Sequence, residues 1–166
     1  MLAERAQRRV HLPDHADVRV VPPLVYAAAL AAGFLLQWAR PIPLARETGV
    51  VAFRTVGIGL ALLGGWLVAE ALRGMRARGT SPIPVRPTTA LVLDGAYRYT
   101  RNPMYLGMLL VCAGLALAAN ALWPLVLLPF VVSIINRHVI VREEKYLSRK
   151  FGGEYEVYKR RTRRWI

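Results

Sequence analysis

At 166 residues the chain has the length of one domain, yet 55% of it is hydrophobic, its mean hydropathy is +0.32, and 23 Lys+Arg face 10 Asp+Glu for a formal net charge of +13. Long, nearly uncharged runs alternate with short basic ones, which points to several membrane spans and excludes disorder for most of the chain. A single cysteine, Cys112, excludes an internal disulfide framework and a multi-Cys zinc site.

Residues 1–21 are polar and charged with no apolar core, so no signal peptide is expected there. They read as a cytoplasmic N-terminal segment ahead of one membrane domain, 22–166. The first span is expected over 22–39, without a charge. The second covers 50–72, with Arg54 and Glu70 near its ends, where long side chains snorkel. The third covers 103–119 and starts on Pro103, which suits a first helical turn. The fourth covers 122–141, with Pro129 inside it as a kink and Arg137 near its exit. Only Asn120 and Ala121 separate the last two spans, so they form a tight hairpin. Gly57, Gly59, Gly64 and Gly65 in the second span suit close helix contact in lipid. The fold class is therefore all-α integral membrane with about four transmembrane helices.

Orientation follows from the basic residues. Arg5, Arg8, Arg9 and Arg19 precede the first span. Arg73, Arg76, Arg78, Arg86, Arg98 and Arg101 lie between the second and third. The tail carries Arg142, Lys145, Arg149, Lys150, Lys159, Arg160, Arg161, Arg163 and Arg164, and the hairpin tip carries none. Arg40 and Arg46, opposed by Glu47, fall on the other side. The positive-inside rule makes both termini and the middle loop cytoplasmic, in a multi-pass protein of the cell (inner) membrane. Basic residues just beyond apolar runs meet anionic headgroups, so no nucleic-acid partner is expected. Loop 74–102 and tail 142–166 meet on the cytoplasmic side, and a site is expected between them.

Prolines forbid a long helix before Thr88, and Leu91-Val92-Leu93 then Asp94-Gly95 reads as a short extended piece and a turn. Tyr97, Arg98, Tyr99 and Arg101 then directly precede a helix start, whose free N–H groups together with Arg101 suit a carboxylate or phosphate. The plainer alternative is that they anchor the third span at the interface. Helical spacing places Asn136, Ile140, Glu143 and Leu147 on about one face leaving the fourth span. One of Glu143 and Glu144 is expected to face inward, toward a ligand or in an ion pair with Arg101 or a tail base. His11, His15 and His138 suggest no metal site, and none is expected.

Leu91-Val92, Gly95-x-Tyr97, Arg101-Asn102-Pro103-x-Tyr105-x-Gly107, a helical hairpin, Glu143-Glu144-x-x-Leu147 and Phe151-Gly152-x-x-Tyr155-x-x-Tyr158 follow in order. This set, over about 81–166, resembles the isoprenylcysteine carboxyl methyltransferase and phospholipid methyltransferase superfamily of integral membrane enzymes. The resemblance implies S-adenosyl-L-methionine as methyl donor and a lipid or lipophilic acceptor at the cytoplasmic membrane face. It implies cofactor contacts at Thr89, Ala90, Leu91, Val92, Tyr97, Asn102, Pro103, Met104, Tyr105 and Glu143. Arg101 and Glu144 are the candidate catalytic side chains, Glu144 as the base if the acceptor is a phospholipid amine. Two positions depart from the pattern. Asn102 stands where the motif usually has His, and Val139 where carboxyl-methylating members place an Arg for the substrate carboxylate. The alternative of another class is a non-enzymatic membrane scaffold with a basic lipid-binding face at Lys159–Arg164. The oligomeric state is left open.

Overall fold

The computed structural model describes residues 16, 18, 20–83 and 87–166. Most of the N-terminal segment, with Arg5, Arg8, Arg9, His11, His15 and Arg19, and Arg86 of the loop lie outside the described residues. The chain forms α1 (Pro22–Ala39), α2 (Thr48–Ala77), α3 (Pro103–Ala118), α4 (Leu122–Ile135), α5 (Val141–Phe151) and α6 (Gly153–Arg161). A 3-10 turn, Gly95–Arg98, precedes α3, and a π-helical turn, Asn136–Ile140, joins α4 to α5. Among the described residues there is no strand. The protein is thus all-helical. Three of its helices, α1, α2 and the continuous Leu122–Phe151 run, are long and apolar enough to cross a membrane. The apolar α3 is shorter, at 16 residues.

Pro22 opens α1 and Pro103 opens α3, each at a position where the missing N–H costs no helical bond. Pro41, just after the C-cap Arg40, closes α1. By contrast α2 and the α4–α5 run both extend beyond their apolar stretches, to 30 residues each. At about 1.5 Å per residue each is about 45 Å long, against a hydrocarbon core of about 30 Å. The extensions are charged: Glu70, Arg73 and Arg76 on α2, and Arg142 to Lys145 on α5. They stand beside the start of α3, with the middle loop and the tail around them. Gly74 lies inside α2, and its bare backbone lets Val92 of the loop come close; a Cβ there would meet Val92 Cγ1 at 3.2 Å.

Two pairs of glycines set the α2–α3 contact. A Cβ on Gly64 would lie 2.5 Å from the Gly107 carbonyl oxygen, and one on Gly114 would lie 2.5 Å from that of Gly57. The seven-residue spacing of Gly57 and Gly64 is mirrored antiparallel by Gly107 and Gly114, so the backbones touch twice along one seam. Gly59 and Gly65, expected at helix contacts, meet nothing within 4 Å and face away from α3. On the outside Leu24, Trp38, Leu62, Trp66 and Phe130 stay exposed, as surfaces that meet acyl chains require.

At the end remote from the overshooting helices, Asn120 clasps the α1–α2 connection. Its Oδ1 accepts from the N–H groups of Leu44 (3.0 Å) and Ala45 (2.9 Å), and its Nδ2 donates to the Ala45 carbonyl (2.9 Å). Its φ of 53° completes the three-residue turn Ala119–Ala121 between α3 and α4, a conformation that Asn tolerates. At the opposite end Tyr26, Tyr105, Ile135, Val139, Ile140 and Tyr146 form the main buried cluster, which also takes in Cys112.

Gly64→Leu should force α2 and α3 apart and lower stability by about 1–3 kcal/mol, the usual cost of overpacking. Gly59→Leu should leave it nearly unchanged. Thermal unfolding of the two variants in one detergent checks this; equal midpoints would refute the glycine seam.

Candidate active site

The loop after α2 is fastened in three places. Thr80 Oγ1 accepts from the Thr89 N–H (3.1 Å), and Thr89 Oγ1 donates to the Gly79 carbonyl (3.0 Å). The Thr88 N–H donates to Tyr146 Oη (3.1 Å), tying the loop to α5. Asp94 receives both Nη groups of Arg78 at 2.6 and 2.8 Å, which holds its carboxyl below the usual range. Gly95, at φ 57°, then turns the chain into Gly95–Arg98, and Val92 and Tyr97 pack on Ala71 with Met75 and Met104 beside them. Tyr158 of α6 donates its hydroxyl to the Tyr97 carbonyl (2.7 Å). Burial raises the phenol of Tyr97 and keeps it protonated.

The tail after α6 lies along the residues that precede α3. The Arg101 N–H donates to the Arg163 carbonyl (2.9 Å), and the Arg164 carbonyl accepts from Thr100 Oγ1 (3.1 Å) and Asn102 Nδ2 (2.8 Å). Asn102 therefore looks toward the tail and leaves the first turn of α3 without a side-chain cap. Glu144 binds both sides of this junction. Its Oε1 accepts from Arg101 Nη2 (2.8 Å) and Arg164 Nε (3.0 Å), and its Oε2 accepts from Arg164 Nη2 (2.6 Å). Arg164 Nη1 also donates to Asn136 Oδ1 in the π-turn (3.1 Å).

These elements line a cleft between the middle loop, the start of α3, α5 and α6. Ala90, Leu91, Val92 and Tyr97 line it from the loop, and Asn102, Pro103, Met104 and Tyr105 from the start of α3. Glu143, Glu144 and Arg101 complete the set. All the residues expected at the site are thus brought together except Thr89. That side chain is taken up by Thr80 and Gly79, so it fastens the loop and does not line the cleft. Glu144, expected as a proton acceptor, has both oxygens committed to guanidinium donors. The ion pair expected between one acid and Arg101 or a tail base is made by Glu144 with both Arg101 and Arg164. Sequence reasoning did not single out Arg164 among the tail bases, and it did not place Tyr146 or the motif tyrosines Tyr155 and Tyr158 at the cleft.

Glu143 differs from its neighbour. It follows Val141, the last apolar residue before the charged first turn of α5, and Tyr105 donates to its Oε1 at 2.7 Å. Burial pushes its carboxyl up to about 7; the Tyr105 hydrogen bond opposes this and the nearby Glu144 adds to it. A half-buried acid with so elevated a value marks the polar end of the cleft as a candidate for ligand or proton chemistry.

A model of the phospholipid methyltransferase family (PEMT) matches residues 53–154. An uncharacterized protein of Haemophilus influenzae (strain ATCC 51907 / DSM 11121 / KW20 / Rd) is 44% identical over 64 residues, which are 38% of this chain and all of that protein. No solved structure matches the chain.

Removing the Glu144 charge leaves two guanidinium groups facing each other with no acid between them. Glu144→Gln should cost about 3 kcal/mol or more, the scale for breaking a buried ion pair from one side. Arg164→Lys should cost less, since one charge contact survives. Denaturation midpoints of the two variants test the order; a Glu144→Gln variant as stable as the parent would show that the clasp contributes nothing.

Proposed function

Since the chain belongs to the phospholipid methyltransferase family, we propose that its cleft binds S-adenosyl-L-methionine and a lipophilic acceptor and transfers a methyl group between them at the cytoplasmic membrane face. The observation that carries this reading is Glu143, a half-buried acid that accepts from Tyr105 in the wall of the cleft, with its carboxyl pushed up to about 7. S-adenosylmethionine supplies an already activated methyl group, so the protein's part is to align the reactants and exclude water. The residues present fit such a ligand. Tyr97 and Tyr105 offer ring faces to a sulfonium cation. Glu143 offers a carboxylate to an ammonium group or to ribose hydroxyls. Ala90, Leu91, Val92 and Met104 offer apolar packing to an aromatic base.

Arg101 and Glu144 act in this reading by position. With both oxygens of Glu144 held by Arg101 and Arg164, an amine acceptor is not deprotonated there, and it arrives as the free base. The acceptor comes sideways from the bilayer. Val139, at the position of the carboxylate-binding Arg in carboxyl-methylating relatives, is fully buried in the apolar cluster with Tyr26 and Tyr105. A carboxylate acceptor finds no fixed cation at that position. The scaffold alternative leaves the cleft and its half-buried Glu143 without a role, and Arg164 of its basic face turns inward to Glu144.

Two outcomes are expected. Glu143 must be ionised to pair with an ammonium group, and its value of about 7 in the ligand-free protein fixes the direction. Affinity for S-adenosylhomocysteine should be full above that pH and fall below it by up to about tenfold per unit, a slope that Glu143→Gln abolishes while weakening binding at high pH by about tenfold to a hundredfold. Calorimetry across pH 5.5–8.5 reads both, and a flat profile in the parent would remove Glu143 from the ligand. In a methyl-transfer assay with acceptors at equal membrane concentration, a neutral or amine-bearing lipid should be turned over faster than a farnesylated cysteine carboxylate; the reverse order would refute the acceptor assignment.

A further inference from the structure

A second groove lies outside the cleft, at the same end of the bundle. Trp66 and Glu70 line it from α2, Arg98 and Tyr99 from the stretch before α3, and Leu106 and Trp165 complete it. No residue lines both cavities, but they share a wall. Along Ala96–Arg101, Ala96, Arg98 and Tyr99 line the groove, whereas Tyr97 and Arg101 line the cleft.

Its level is that of lipid headgroups. Glu70 follows the uncharged run 55–69 of α2, and Trp and Tyr side chains collect where hydrocarbon meets water. Trp66 is 56% exposed and Tyr99 79%, so the groove is open to whatever surrounds the bundle. Its charges are unusual for a chain of net charge +13, since they are one base and one acid that do not pair with each other. Arg98 is exposed, and its side chain has no hydrogen-bond or ion-pair partner among the described residues. Glu70 Oε1 lies over Gly95, where a Cβ would meet it at 3.2 Å, and Oε2 pairs with Arg73 at 3.2 Å. That pair spans one helical turn with Arg73 largely exposed, so it is weak, and the carboxylate keeps lone pairs for another cation. A headgroup with only negative charge would be opposed by Glu70, and one with only positive charge by Arg98. A headgroup carrying both suits the two.

We propose that this groove is a second lipid site, separate from the cleft, which holds the headgroup of a zwitterionic phospholipid. Arg98 takes the phosphodiester. Glu70 takes the ammonium group, with the aromatic faces of Trp66, Tyr99 and Trp165 available to the same cation. The upper acyl chain lies on Leu67 and Leu106. Because the stretch Ala96–Arg101 walls both cavities, a lipid seated there steadies Tyr97 and Arg101 from behind. The site stands whether or not the cleft transfers methyl groups.

The test uses the full chain purified in detergent and titrated with phosphatidylcholine or phosphatidylglycerol of the same acyl chains, with bound lipid read by native mass spectrometry. Phosphatidylcholine is already fully methylated on nitrogen, so its binding reports a ligand and not a methyl acceptor. The parent should bind its first phosphatidylcholine about threefold to tenfold more tightly than its first phosphatidylglycerol. Arg98→Gln should weaken phosphatidylcholine by a similar factor. Glu70→Gln removes the partner of the ammonium group and leaves Arg73 and Arg98 without an acid, so it should reverse the preference. Arg149→Gln, an exposed charge outside the groove, should leave the preference as it is. If a groove variant does not fold, the parent decides by cross-linking. A phosphatidylcholine with a photoreactive group high on one acyl chain should label Trp66–Glu70 and Leu106, and excess phosphatidylcholine should protect them better than excess phosphatidylglycerol. A parent without preference, folded Arg98→Gln and Glu70→Gln variants that keep the parent's preference, or cross-links that both lipids displace equally would overturn the site. None of these readouts depends on S-adenosylmethionine, so failure of the methyl-transfer reading leaves the outcome intact.

Discussion

One carboxylate, that of Glu144, joins three stretches of chain far apart in sequence: α5, the residues before α3, and the tail after α6. Tyr146 and Leu147 of α5 and Trp165 of the tail also pack on the main buried cluster. The tail after Arg161 is five residues long and has no regular structure, and the approach to α3 is a short turn. A buried ion cluster contributes little net stability compared with an apolar replacement, but it has strict geometry, and losing one partner is costly. Its contribution here is registry. With Glu144 fixed between Arg101 and Arg164, the backbone of the tail falls against Thr100–Asn102 and the cleft gains a wall.

That junction depends in turn on helices longer than the bilayer needs. The extensions of α2 and α5 are rods continuous with membrane-packed segments, so they hold the loop and the tail as rigidly as the bundle is held. The bundle is held by backbone contact at Gly57–Gly114 and Gly64–Gly107, and by Asn120 at the other end. The π-turn at Asn136–Ile140 widens the α4–α5 run by one residue in a turn. It does so where Arg164 reaches Asn136 and where Val139 and Ile140 enter the core. A departure from α-helical spacing there sets which way the following residues, Glu143 and Glu144 among them, face.

The features legible in the sequence were those with a local cause. Proline bounded α1 and opened α3, and unbroken apolar runs marked the helices, three of which are long and apolar enough to cross a membrane. The clustering of Tyr97, Asn102–Tyr105 and Glu143 around one cleft followed from an ordered set of motifs. The features missed have causes distant in sequence. Charges end a hydrophobic run but do not end a helix, so α2, which runs to Ala77, was read as stopping at 72; the helix leaving the fourth span through Leu147 was legible from its spacing. Four glycines in α2 looked equivalent until α3 selected Gly57 and Gly64. Arg164 lay in a run of bases whose members cannot be told apart without the fold, and Thr89 could not be assigned to its loop clasp before Thr80 was placed beside it.

Glu143 and Glu144 follow from one geometric fact. Successive residues on a helix point about 100° apart, so two adjacent acids entering a crowded junction meet different surroundings. Glu144 meets guanidinium groups and becomes part of the frame. Glu143 meets a tyrosine hydroxyl and apolar neighbours, and burial without a cation raises its carboxyl toward neutrality. A carboxylate in that state gains most from an incoming positive charge, because pairing removes the desolvation cost that raised it. Without Arg164, Glu144 would hold one cation in place of two, and the tail would lose its charged tie to α5. The tail thus sets the charge beside the cleft as well as its wall.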